Sequence, residues 1–415
     1  MVIVDKTIVG LDVGTTKVVA VIGEVGEDGR IRIVGVGQSP ALGIKKGMVV
    51  NVEECSQSIK NAVSQAERVS GYPVEHAYVG VTGEHVQSIN ARGIITINQG
   101  NRTITANDVQ RAIENAQASI SVPPTREVVH IIPRGYTLDG QDGIREPVGM
   151  QAFRLEADVH IITGAIASLH NLVRAVQRAG IHAHDLVLEP LASAEACLTP
   201  AGREMGVCLA DIGGGTTDMA IFCDGAVVYT GVVAVAGHQL TNDLAVVLRT
   251  PYDTAEKIKC SYGHCIPEAV LEAAPVTTNT FGAERTEIVP RRFVAEVIEA
   301  RSHEMLSLIY TQIEKAGYAN LLPAGLVLTG GTGQLEGLRD LSRHLLAMPV
   351  RVGQPERMDG LSDGVSGPAY STAIGLLLWA MRYSHPEEPS LAEPRRGPDT
   401  ITRFFEWVRR AFLPG

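Results

Sequence analysis

The chain has 415 residues, enough for two or more cores around a shared cleft, and its formal net charge of -10 excludes a body that binds nucleic acid by neutralising phosphates. Its 45% hydrophobic and 5% aromatic content describes a folded α/β protein rich in Val, Ile, Ala and Gly, and excludes general disorder. Six cysteines without disulfide-framework spacing point to a reducing, cytosolic compartment, and the opening MVIVDKTIVGLDVG lacks the pattern of a secretory signal.

The first element is an apolar strand, IVGLDVG, turning at Gly14 into a second strand, KVVAVIGEV, and after GEDGR into a third, IRIVGVG. Gly14 lets the backbone turn sharply, and Thr15, Thr16 and Lys17 bring hydroxyls and a cation that suit a phosphate chain. Further on, VQSINARGIITIN alternates like a strand, TANDVQRAIENAQASI has helical spacing with Thr105 or Asn107 near its start, and VVHIIPRGYTL is a strand again. This stretch carries no nucleotide motif.

Around residue 211 the opening pattern returns: VCLADIGGGTTDMAIF, a turn at CDG, then AVVYTGVVAVAG. The simplest explanation is two homologous half-domains. Gly213, Gly214, Gly215, Thr216 and Thr217 form the second anion-cradling turn, and Asp12 and Asp211 at the paired strand ends suit a Mg²⁺ ion held through water. Two ordinary glycine hairpins are the competing reading. Then RTEIVPRRFVAEVIEARSHEMLSLIYTQIEKAG forms a long amphipathic helix after a basic start. The next glycine cluster, GLVLTGGTGQLEGL, runs a short strand into Gly330 and Gly331, whose lack of side chains admits a flat nucleoside. AIGLLLWAM, residues 373–381, is too short to span a bilayer and predicts a buried helix. Cys260, His264 and Cys265 in CSYGHC have the composition of a metal site but no second ligand pair, and His182 and His184 suit a loop or surface.

The end of the chain is different in kind. Pro386, Pro389, Pro394 and Pro398 interrupt regular structure over 384–400, predicting a flexible linker. Beyond it Ile401, Phe404, Phe405, Val408 and Phe412 recur at helical spacing beside Trp407, with Arg403, Arg409 and Arg410 opposite, over residues 401–415. A core helix or a partner-docking helix is possible on spacing alone; the arginines favour an anionic membrane surface, where each nearby cation adds roughly 1 kcal/mol.

Taken in order, DVGTTK, VLEPLASAEACL, DIGGGTTD and LTGGTG make the chain resemble the actin, Hsp70 and sugar-kinase superfamily of two-lobed ATP-binding proteins. Within it the chain is similar to the FtsA family of bacterial division proteins, through GIKKGMVVNVEECSQSIKNAVSQAERVSG, the inserted segment and the detached amphipathic end. The resemblance implies a duplicated, ribonuclease H-like α/β fold. Residues 1–84, 166–203 and 364–383 would form the first lobe, with 85–165 inserted as a small subdomain; 204–240 and 326–363 would form the second, with a subdomain at 241–325. It implies ATP and Mg²⁺ as ligands, with at most weak hydrolysis. Gly237 is kept from a motif whose backbone would approach the nucleotide, although His238 stands where many members carry a second glycine, and Gly330 and Gly331 would border the adenosine.

By the same resemblance Glu256 and Lys259 would reach ribose and base, against the alternative of an exposed ion pair, and Glu189 would orient the attacking water, against that of a carboxylate at a strand end. Arg291, Arg292, Arg301 and Glu304 would meet the acidic and apolar C-terminal peptide of FtsZ, or else form a solvated charged face. The family polymerises on the cytoplasmic face of the inner membrane at the division septum, and its inserted subdomain contacts neighbouring subunits and other division proteins. Two other functions suit the fold: a type IV pilus assembly scaffold, which needs no amphipathic tail, and a small-molecule kinase, for which no acceptor-pocket motif is evident.

Overall fold

The computed structural model describes residues 7–97, 100, 102–271, 274–279 and 286–383. Linker 384–400 and tail 401–415, with Ile401, Phe404, Phe405, Trp407, Val408, Arg409, Arg410 and Phe412, lie outside the described residues.

The duplication read from the sequence is present in the sheets. Thr7–Val13 pairs antiparallel with Lys17–Val25, which pairs antiparallel with Ile31–Pro40. On its other side Thr7–Val13 lies parallel to His76–Val81, which lies parallel to His182–Leu188. The second copy repeats this arrangement: Val207–Ile212 is flanked by antiparallel Thr217–Cys223, then Ala226–Val233, and on its other side by parallel Leu326–Thr329, then Val350–Val352. Both founding strands are almost wholly buried, as strands covered on both faces must be. The chain returns to the first sheet at Asp359–Gly360, beside Ile31–Pro40, before the return expected at 364.

Helices cover these sheets for local reasons. Val52–Ser70 starts where the Asn51 side chain accepts from the amides of Glu53 and Glu54, and stops at Gly71 in the left-handed conformation. It lies so close to the sheet that a Cβ on Gly37 would fall 1.9 Å from the Ala62 carbonyl oxygen. The helix Ser371–Tyr383 buries the AIGLLLWAM run against Glu189–Cys197 and the first sheet.

The insert is an antiparallel sheet in the order Gln87–Thr96, Arg154–Ala165, Arg126–Leu138, Gln141–Ile144, with the helix Ala106–Ala118 on one face. Thr105 caps that helix in a reciprocal box with Asp108. The insert has its own core, including Ile95, Ile113, Leu155 and Ile161. It also leans on the second lobe: Ser88 Oγ donates to the Thr230 carbonyl at 2.8 Å and Asn90 Nδ2 to that of Val228 at 3.1 Å. The long helix Arg291–Lys315 packs through Val294, Ile298, Met305 and Ile309 into the second lobe's core.

Candidate functional site: a carboxylate-lined cleft between the lobes

The two glycine turns face each other across a cavity of about 500 Å³. Asp12, Gly14, Thr15, Thr16 and Lys17 line it from the first lobe, and Asp211, Gly213, Gly214 and Thr216 from the second. A Cβ on Gly214 would stand 2.1 Å from Thr16 Oγ1, and one on Gly215 2.7 Å from Thr15 Oγ1, so each turn approaches the other where only glycine fits. Thr82 Oγ1 of the first lobe donates to Asp218 Oδ1 of the second at 2.6 Å.

Four carboxylates converge on the floor: Asp12, Glu189, Asp211 and Asp218, all buried. Burial pushes Asp12 up to about 7, the Lys17 ammonium opposing and Asp211 adding to the rise. Asp218 is likewise pushed up to about 7 by burial, against the pull of the Thr82 and Thr216 hydroxyls. Asp211 is raised by burial although Ser193 Oγ, at 2.5 Å, and Thr372 Oγ1, at 3.0 Å, donate to it. Glu189 is pushed well above its ordinary range, by burial first and then by Asp12, Asp218 and Asp211, and its Oε1 has no hydrogen-bond partner. Lys17 is lowered by burial and held up by Asp12 and Asp211; its ammonium rests 3.6 Å over the Tyr370 ring.

Concentrated negative charge with one orphaned oxygen and a single nearby lysine is chemistry that fits a hydrated divalent cation. No group of three or more His, Cys, Asp or Glu among the described residues is arranged to ligate a metal directly. Asp12 and Asp211, both buried in the lining, are the carboxylates beside Lys17 that could face the water shell of a cation.

At the other end of the cavity Glu256 and Lys259 lie on the helix Tyr252–Tyr262. Lys259 is buried, its Nζ 2.7 Å from Glu256 Oε2 and donating to Thr241 Oγ1 and the Gly237 carbonyl at 2.9 and 3.2 Å. Burial pushes Glu256 up, but hydrogen bonds from Lys259 and Thr241 together outweigh it and leave the carboxyl below its ordinary value. This is a pair inside the cleft, not the solvent-exposed one considered above. Gly330, at φ 82°, is pressed against Asp211, while Gly331 has only Ala369 within 4 Å of a Cβ and faces the opening.

Three of the sequence-derived residues stand behind the lining, Gly215 among them, packed against Thr15 and Lys46. Thr217 Oγ1 donates to the Val235 carbonyl at 2.7 Å, and Gly237 backs onto Gly213, its amide donating to the Gly213 carbonyl at 3.1 Å. Away from the cleft, Arg291 bonds the Tyr262 carbonyl and Glu336, and Arg301 makes a two-pronged bond to Asp243 and a further one to Glu304. Arg292 pairs with Glu296 at 3.6 Å. His264 and Cys265 are engaged locally, with the Ile266 amide and Ser302.

Thr82, Ser193, Asp218, Thr332 and Thr372 belong to the site but were not singled out from the sequence. Asp218 was available, since it ends the GGGTTD run at a fixed offset from the turn. The others arrive from distant segments and carry no local signal.

Comparison with known proteins identifies relatives of this chain. The family described as "Cell division protein FtsA" matches over residues 208–375, and the one described as "SHS2 domain inserted in FTSA" over 83–163. Cell division protein FtsA of Pseudomonas aeruginosa is 43% identical over 91% of this chain and 90% of its own length. That of Escherichia coli K12 is 36% identical over 98% of both chains. Among solved structures, a chain of the PilM-PilN type IV pilus biogenesis complex aligns over 90% of this chain and 98% of its own, with a TM-score of 0.66 at 16% identity. MreB5 of Spiroplasma citri bound to ADP aligns over 90% and 96%, with a TM-score of 0.57 at 12% identity. These two likenesses are ones of fold; with the family matches they make the architecture the two-lobed actin-like one with an SHS2 insertion.

Proposed function

This chain belongs to the FtsA family of cell division proteins, and on that premise we propose that it binds ATP between its lobes and uses the bound state to assemble filaments that hold FtsZ at the membrane. One observation carries the nucleotide reading: the paired glycine turns meet across one cavity whose floor is a cluster of buried carboxylates beside Lys17. Thr15, Thr16 and Lys17 would hold phosphate oxygens from one side and the amides of Gly214 and Gly215 from the other, the Gly213 amide being spent on the Thr216 carbonyl. Glu256 and Lys259 would take the ribose and base, with Gly330 and Gly331 leaving room for the ring. Asp12 and Asp211 would hold Mg²⁺ through water, and the ion would neutralise phosphate charge. Glu189, with its Oε1 free of a hydrogen-bond partner, would accept a proton from an attacking water once a bound cation favours its charged form, giving a slow ATPase.

The FtsZ and membrane roles rest on other segments. Arg292 is half-exposed beside exposed Phe293 and Ile288, a basic and apolar surface that suits an acidic, apolar peptide. Arg291, Arg301 and Glu304 would have to exchange their internal partners to join it. No helix among the described residues is long and apolar enough to cross a membrane. Attachment would come from residues 401–415, each copy weakly, with filament avidity multiplying the hold. The insert would contact neighbouring subunits and further division proteins.

Titration calorimetry with Mg-ATP tests the cleft: saturable heat is expected, and none would overturn the nucleotide reading. Co-sedimentation with vesicles containing anionic lipid tests the tail. The full chain should pellet and the chain lacking 401–415 should not; equal pelleting would defeat membrane attachment by that segment.

A further inference from the structure

We infer that His238 is a phosphate-chain ligand that bridges the two lobes, its imidazole doing what backbone amides do at a helix N-terminus. The inference rests on the nucleotide reading of the cleft and adds to it a residue outside the glycine turns.

The helix Gly237–Val247 begins beside the cavity, with His238 of its first turn in the lining, and a helix start is the end that ordinarily presents free amides to an anion. Here those amides are already used. The Gly237 amide donates to the Gly213 carbonyl at 3.1 Å, that of His238 to the Gly214 carbonyl at 2.7 Å, and that of Ala236 to Gln239 Oε1 at 3.0 Å. The helix end is thus locked onto the second glycine turn and cannot turn its first N–H groups toward a ligand. The His238 side chain is what remains facing the cavity.

Its position is specific. The ring stands over Gly214, where a Cβ would come within 3.1 Å of Nε2, and Nε2 lies 3.3 Å from Thr16 Oγ1 in the opposite lobe. Tyr252 meets it edge-on with centroids 6.0 Å apart, fixing the plane. From the neighbouring helix, Lys259 and Glu256 face it with opposing charges. A phosphate chain passing between the two turns lies between a Thr16 hydroxyl and an imidazole N–H. The Thr16 to His238 contact is replaced by two bonds to phosphate oxygen, one from each lobe. An anion accepts more strongly than a hydroxyl, so the exchange favours the occupied, closed cleft.

The test compares ATP and ADP binding by the full chain in wild type, His238→Ala and His238→Gln, with the melting temperature of each nucleotide-free protein. Loss of one hydrogen bond to phosphate raises both dissociation constants about tenfold or more in His238→Ala. His238→Gln, whose amide can place an N–H near the Nε2 position, keeps them within about twofold of wild type. Melting temperatures stay level. Wild-type affinity in His238→Ala, or a His238→Gln as weak as His238→Ala, overturns the role of His238. A wild-type chain that binds neither nucleotide overturns the reading beneath it instead.

Discussion

Glu189 opens the helix Glu189–Cys197 with its carboxyl among three others and one oxygen unpartnered, which is a poor arrangement for the empty protein. Burial without a partner costs stability, and like charges add to it. Glu189→Gln removes one charge and supplies an amide that neighbouring carboxylates can accept from. It should therefore stabilise the nucleotide-free chain by on the order of 1 kcal/mol in thermal melts while reducing ATP turnover at least a hundredfold. A destabilised variant with normal turnover would show that Glu189 is structural. Asp12 and Asp218 give the matching pH dependence. Their folded values, near 7, lie above the ordinary 3.8, so the folded chain binds more protons than the unfolded chain between those limits. The penalty is absent below about pH 4 and complete above about pH 7, so these two carboxyls take stability from the nucleotide-free chain as pH rises through that window, while His130 and His160, which burial lowers, act in the opposite sense below about pH 6.5. A cation competes with those protons. The gain in melting temperature from Mg-ATP should accordingly grow between pH 5.5 and 8, and chelating Mg²⁺ should flatten that trend.

At the level of elements, the close seating of helices on sheets depends on single glycines. Gly37 is the sharpest case in the first lobe, since an added methyl would meet the Ala62 carbonyl and the Ala66 amide. Gly37→Ala should cost about 1 to 3 kcal/mol in chemical denaturation, because neither the strand nor the helix can yield alone. Wild-type stability would mean that the Val52–Ser70 helix rides more loosely than drawn. The same scale explains what the sequence disclosed. Each strand, turn and strand copy is a local pattern, so the paired sheets, the Thr105 cap and the buried 371–383 helix follow from neighbouring residues. Thr82, Ser193 and Thr372 reach Asp218 and Asp211 only through tertiary packing, and a lone threonine or serine announces nothing. Arg291 and Arg301 read as free cations because their acidic partners, Glu336 and Asp243, are far along the chain.

For the whole molecule, closure of the cleft engages more than the glycine turns. The insert emerges from the first lobe, its root held by Arg126, which donates to the carbonyls of His85 and Thr163, both at 2.8 Å. Its Gln87–Thr96 strand then reaches the Ala226–Val233 edge of the second lobe. Between them lies His160, 1% exposed. Asn90 Nδ2 donates to the Val228 carbonyl, which leaves Asn90 Oδ1 as acceptor for His160 Nδ1–H at 2.7 Å. His160 Nε2 must then accept, and Thr230 Oγ1–H is its donor at 3.0 Å. Burial holds this imidazole neutral, so the assignment of one proton fixes the whole chain of bonds. Separating the lobes at this edge would break that chain of bonds, so the insert ties the first lobe to the second beside the cleft proposed to hold nucleotide. Thr230→Val keeps the shape of the residue but removes the donor, leaving His160 Nε2 unsatisfied at a cost of about 1 to 3 kcal/mol to the closed form. Release of a fluorescent ADP analogue, followed by stopped flow, should speed up about three- to tenfold in Thr230→Val. Asn90→Ala should act in the same direction, and the double variant should fall short of the product of the two, since both cut one network. Unchanged release in both single variants would mean that the lobes let nucleotide go without parting at the insert.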